Sequence, residues 1–452
     1  MGSESVGRLE RLNVSTLAPV GLEAVERVSA GRDEPGWMRE ARREAWVTYQ
    51  AMDWPHRKEE AWRRTDLARY PLDGMRVAIV DSEVESVDDL PPCWNYALTP
   101  ASQVSGILVH CNSAHARATM RPEIADKGVT FADLHQALHT HGDLIRRHWM
   151  HGATTRPDFN RFTALNAALW NGGTFIHVPA GVNVARPFES LVAYGADGGT
   201  GLHHTLVIAE AGSRVTLIQD RVSQEIQDEV NAEVVEIYAE AGARVRYVSL
   251  QHWGPRRYSV SVQEAQVAKK GNFVWVSGSM GGARTKEFLR SSLNEADARS
   301  TMAGFSFPYD HQFLDQSTYQ HHRAPNTYSD LLFRNVLRDR ARTVFYGMIR
   351  VETDAGGGTE GYQSNNNLLL DDARAHAIPG LEIIANDVRC SHGATVSHID
   401  AEEQFYLQAR GLPKPTAESL IVQGFIRPII ERVPLAHMRE RLEAEVGERF
   451  WR

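Results

Sequence analysis

The chain has 452 residues, of which 42% are hydrophobic and 23% charged, enough for two or three structural units around a sizeable core. A net charge of −8 gives no reason to expect nucleic-acid or anionic-membrane binding. Three cysteines, Cys93, Cys111 and Cys390, are too few for a disulfide framework or a complete four-thiolate cluster. No apolar run is long enough to cross a bilayer and Met1–Ser5 opens no signal-peptide pattern, so a cytoplasmic setting is expected.

Residues 1 to about 75 read as helical and exposed, with Pro55 separating a Trp37–Tyr49 helix from Lys58–Leu67. Met75–Val80 and Ser105–His110 read as short strands, and Leu134–Met150 as a helix that closes an N-terminal region of residues 1–155. The middle, 156–400, repeats itself: Ala209-Glu-Ala-Gly-Ser-Arg-Val215 recurs as Ala239-Glu-Ala-Gly-Ala-Arg-Val245, and Ala268–Val276 echoes both. Each copy is a glycine turn followed by an alternating strand, with no helix between copies. That pattern belongs to stacked β-units, each unable to bury its apolar face alone. Residues 401–452 turn helical. Val422, Phe425, Ile426, Ile429, Ile430 and Val433 form an apolar stripe, with a bend expected at Pro428 and a second helix opened by Pro434. These helices read either as a cap on the open end of the β-stack or as a cap that is also a docking surface.

The chemistry is sparse. There is no P-loop, nucleophile elbow or His-Glu-x-x-His helix, and the glycine-rich stretches 195–201 and 356–358 read as turns. The doublets His203-His204 and His321-His322 read as surface or turn histidines, because adjacent strand residues face opposite ways. No spacing among Asp220, Glu236 and Glu240 singles out a catalytic pair. The informative stretch is Asn386-Asp-Val-Arg-Cys390-Ser-His392-Gly393-Ala-Thr395, read as a strand continuing from Leu381–Ala385. Two residues apart on a strand, Cys390 and His392 share a face and could approach one soft metal or sulfur species. The bland reading is a small buried thiol beside a hydrogen-bonded ring. Arg389, between faces, points away.

This stretch has company. Glu402–Leu412 with its Phe405-Tyr406-Leu407-x-x-Arg410-Gly411, Gln363-Ser-Asn-Asn-Asn-Leu-Leu-Leu370, Pro379–Ile383, His322–Ser329, Val344–Val351 and Glu59–Leu67 together resemble the SufB/SufD family of the SUF iron–sulfur cluster assembly system. Gly393, where SufB-type chains carry Glu, resembles SufD; Ile421–Ile429 resembles SufB tails. The resemblance implies a right-handed parallel β-helix with helical ends and a scaffold rather than an enzyme. A SufB paralogue would pair through the β-helices, and the ATPase SufC would bind the C-terminal helices, with Phe425, Ile426, Ile429 and Ile430 as docking candidates. Cys390 and His392 then fall at the SufB–SufD interface, as transient ligands of a nascent cluster that no chain holds alone. Participation of a flavin and homodimerisation of the isolated chain stay open. A SufB-type role is the alternative. A β-helix polysaccharide lyase or hydrolase is opposed by the absent signal segment, and a stand-alone zinc protein by the want of two further ligands.

Overall fold

The computed structural model describes residues 15–80, 99–112, 114–195, 199–224 and 227–450; Cys93 lies outside them. The chain is mainly β, a parallel β-helix of about eight turns with helices before and after it. Successive strands alternate between a nine-stranded and a ten-stranded sheet that face each other across a filled lumen. The sequence repeat is one turn of this helix: Ala239 stacks on Ala209 and Val245 on Val215. At most corners the chain passes through the left-handed region. Gly181, Gly212 and Gly242 (φ +72°, +69° and +69°) do this early, and Asp297, Asn326 and Asp387 later. The stack begins well before residue 156, since Gly106–Cys111 already pairs with Phe188–Tyr194 in the ten-stranded sheet.

The lumen is divided lengthwise. Val215, Leu217, Tyr247, Phe273, Trp275, Met302 and Leu331 make an apolar stack. Beside it runs a polar ladder in which Ser306 donates to Asn335 (2.8 Å), Asn335 to Asn367 (3.0 Å) and Asn367 to the carbonyl of Thr395 (3.1 Å). Asparagines stacked in register satisfy one another from coil to coil, which accounts for the Gln-x-Asn-x-Asn run. Gln363 crosses the lumen to the carbonyl of Gly380 (3.1 Å).

Both sheets are also covered outside, and here the structure corrects the expectation of an exposed N-terminal region. The helices Leu22–Gly31, Gly36–Ala51, Leu134–His148 and Arg161–Leu169 bury Met38, Trp46, Phe162 and Trp170 against Leu206, Val230, Val234, Val260 and Val262 of the nine-stranded sheet. Inside this layer Arg42 and Glu34 form a fully buried ion pair (2.6 Å), with Arg42 over the Trp170 ring at 4.5 Å. The Glu59–Leu67 motif is a plug. Trp62 packs on Phe162 and Phe288, and Thr65 donates to Asp315, which also takes Lys286 Nζ at 2.7 Å.

The helices Lys414–Ile430 and Ala436–Glu448 cover the ten-stranded sheet, burying Val422, Ile426, Ile429, Met438 and Leu442 on Ile218, Val248, Val276, Phe305 and Val336. They lie along the side of the stack rather than over its end. Pro428 falls in the last turn of the first helix, so little helix remains for it to bend, and Pro434 precedes the second helix by two residues. Among the described residues no helix is long and apolar enough to cross a membrane.

Candidate functional site: the open mouth of the β-helix

The final coil consists of the strands Arg374–Ile383 and Val388–His398. A turn through Ile384–Asp387, with Asp387 at φ +57°, separates them, so Leu381–Ala385 ends one strand instead of running on to Cys390. Parallel register sets Cys390 on Gly361 and His392 on Gln363, in the columns that hold Ser329 and the lumen residue Leu331. Cys390 and His392 therefore share the inward face, at the end of the lumen where no further coil follows. Arg389 points outward, with Glu360 at 3.6 Å.

The two side chains sit in different surroundings. Cys390 is half-buried against Ile349, Val351, Ala355, Ala385 and Val388. Its sulfur would lie in ordinary contact, 3.4 Å, with a Cβ on Gly361; the residue that such a Cβ would crowd is Ile349, at 2.9 Å. Burial raises the thiol above its ordinary value, and a bond from the Gly361 backbone partly offsets this. His392 is exposed. Among the described residues no three His, Cys, Asp or Glu side chains converge as metal ligands, so any ion held here would need donors beyond this pair.

Apolar side chains ring the mouth. Leu381 and Ile383 are each 37% exposed, Ile384 46% and Val396 48%. Reading Leu381–Ala385 as an ordinary buried strand hides this rim; only the absence of a following repeat unit could have signalled it. The two free strand edges differ. Arg374 and Ile384 donate their N–H groups back to Ala341 and Val351, so the intervening odd-numbered residues face the free edge, and one of them is Pro379. That edge is interrupted, as exposed edges often are. On the other strand the same alternation, set by Glu360 donating to Thr327 and by the register of Glu360 with Arg389, turns the backbone of Cys390, His392, Ala394 and Val396 to the free edge. No proline interrupts that one.

The histidine doublets are corrected. His203, His204, His321 and His322 are all buried, because lumen on one side and helices or neighbouring side chains on the other cover both faces of the sheets. His322 accepts from or donates to Thr327 (2.7 Å) and Ser329 (2.8 Å) inside the lumen, and burial brings its pKa down to about 3.

In the C-terminal unit, Ile426, Ile429 and Ile430 are buried in the chain's own core and Phe425 is partly buried beneath Arg334, whose guanidinium donates to the Phe425 carbonyl (2.6 Å). These residues fasten the helix. The apolar side chains the unit leaves exposed are Phe405 (71%), Tyr406 (56%) and Leu420 (46%). Phe405 and Tyr406 line a cleft of about 930 Å³ together with Leu407 and Ile421. The helix Ala401–Ala409 that carries Phe405 and Tyr406 buries none of its residues.

Comparison with known proteins agrees with this architecture. A family model described as "SUF system FeS cluster assembly, SufBD core domain" matches residues 192–425, and one for the "SufBD protein N-terminal region" matches 29–189. Iron-sulfur cluster assembly SufBD family proteins of Staphylococcus saprophyticus and Staphylococcus epidermidis are 26% identical to this chain, and one of Staphylococcus aureus 25% identical, each covering 92% of this chain and 90% of its own length. With its core domain matched over more than half its length, the chain belongs to the SufB/SufD family of the SUF iron–sulfur cluster assembly system.

Proposed function

We propose that this chain is a SufD-like, non-catalytic scaffold subunit that pairs through the open mouth of its β-helix with a SufB paralogue and carries SufC on its C-terminal helices. The observation that carries the proposal is the mouth itself. A lumen ending in four exposed aliphatic side chains and an uninterrupted strand edge is a surface that calls for a partner. A second β-helix meeting it end to end would cover the rim and could add its backbone along Val388–His398.

The nascent cluster is the cargo of that joint. His392, exposed and lumen-facing, would bind iron through an imidazole nitrogen. Cys390 would contribute its sulfur once a metal or a partner's positive charge favours the thiolate. The remaining ligands would come from the partner, because this chain brings only two to the mouth. Gly393 in place of a glutamate favours the SufD role over that of SufB. The SufC contact is reassigned from Phe425, Ile426, Ile429 and Ile430 to the exposed surface around Phe405, Tyr406 and Leu420, since a buried side chain cannot dock. ATP hydrolysis belongs to SufC. In the absence of SufB the same rim would let two copies of this chain pair.

The test is co-expression with the SufB and SufC paralogues of the same genome and purification through a tag on this chain. Co-elution of both supports the proposal. A chain that stays alone, folded and monodisperse, refutes it and returns a glycan-active β-helix to consideration, to be checked by turnover of uronate polymers.

A further inference from the structure

The joint between the last helix, Ala436–Glu448, and the ten-stranded sheet holds an unusual set of buried titratable groups. Glu189 is fully buried. Its Oε2 accepts the N–H of Thr99 (2.9 Å), its Oε1 has no hydrogen-bond partner, and the Thr99 hydroxyl meets His437 Nε2 at 3.1 Å. Asp220, also fully buried, accepts from Arg441 of the helix through Oδ2, while Oδ1 has no hydrogen-bond partner. His252, its side chain 10% exposed, lies between two carboxylates. Its Nδ1 is 3.7 Å from Asp220 Oδ1 and its Nε2 3.8 Å from Glu445 Oε2, and neither nitrogen makes a hydrogen bond. A cleft of about 410 Å³, lined by His252, Trp253, Tyr309, Arg441, Glu445 and Arg449, opens beside the cluster.

A seam that leaves Glu189 Oε1, Asp220 Oδ1 and both His252 nitrogens without hydrogen-bond partners is costly. An ionised Glu189 adds a second buried negative charge beside Asp220 and leaves its Oε1 with no donor, whereas a protonated Glu189 brings no charge into the seam. We propose that this seam is a proton-operated latch, closed on the sheet when Glu189 carries its proton and loosened when it loses it.

The sign follows from the neighbours. Burial first, then the Asp220 charge, push the Glu189 carboxyl up to about 7 against the bonds from Thr99. A carboxyl raised by folding stabilises the closed seam at low pH, and that contribution is lost as pH rises through 7. Asp220 resists burial because Arg441 and His252 hold it below the usual carboxylate range, so it remains an acceptor across that window. His437 works in the opposite sense, since burial and Arg441 favour its neutral ring over the pull of Glu440. If the C-terminal helices carry SufC as proposed above, the latch sets how firmly that unit rides on the β-helix. The latch itself does not depend on that reading.

Hydrogen exchange of the full-length chain between pH 5.5 and 8, corrected for intrinsic rates, is the test. It uses peptides covering Ala436–Glu448, with the strand Arg257–Val267 as an internal control. A carboxyl moved from 4.5 to about 7 lowers the protection of the helix by about 25-fold over this range. Glu189→Gln flattens the profile. A flat wild-type profile, or an unchanged slope in Glu189→Gln with the control strand still protected, overturns the proposal. Because no partner is present, SufC can fail to bind without affecting this result.

Discussion

Val396→Asp places a carboxylate in the middle of the mouth. The side chain faces the lumen on the uninterrupted edge strand, and the residue is 48% exposed. Covering what is left of it removes about 70 Å² of apolar surface, worth about 1.8 kcal/mol at 25 cal/mol per Å². Replacing that gain by a carboxylate dehydrated without a partner adds a penalty larger than the roughly 1–3 kcal/mol of an unpaired buried hydroxyl or amide. The association constant with the SufB paralogue should therefore fall by at least about 100-fold. Sedimentation equilibrium of this chain with its partner gives the constants, and circular dichroism confirms the fold. A folded Val396→Asp protein whose affinity stays within twofold of wild type would show that the mouth is not the contact surface.

Other positions separate function from packing. His392→Ala should leave the melting temperature and complex formation unchanged, because the side chain is exposed, but should lower the iron–sulfur absorbance gained on anaerobic reconstitution. Phe405→Ala with Tyr406→Ala should weaken SufC capture at unchanged stability, whereas Ile426→Ala should cost about 2–5 kcal/mol in denaturant unfolding, as a fully buried aliphatic does. Arg42→Ala leaves Glu34 buried without its ion-pair partner and should destabilise by about 3–5 kcal/mol, read in the same titration. Gly304→Ala should cost about 1–3 kcal/mol, because a Cβ there runs into the Phe333 ring in the lumen.

The fold was legible where the sequence repeats. The Ala209 and Ala239 segments stack residue on residue in the structure, so their spacing is the circumference of one coil. The shared face of Cys390 and His392 followed from strand alternation alone and needed only the correct strand boundary. What stayed hidden depends on long-range coverage. An amphipathic pattern says that a helix has an apolar side but not what it lies against, so Ile426 and Ile429 read equally as dock or core. The buried histidine doublets were hidden for the same reason, since a strand covered on both faces loses the polar–apolar alternation that would place each ring. Position in the stack is likewise invisible locally. Leu381 and Ile383 have the composition of any inner strand, and only being last in the series exposes them.

The most direct test of the scaffold assignment is to purify this chain with its SufB and SufC paralogues and reconstitute the complex anaerobically with iron and sulfide, comparing wild type with His392→Ala. The account predicts a complex of all three proteins that gains iron–sulfur absorbance in the wild type and loses most of that gain, but none of its subunits, in the variant. Equal absorbance in both would remove His392 from the cluster, and failure of the wild-type chain to retain either partner would contradict the scaffold assignment itself.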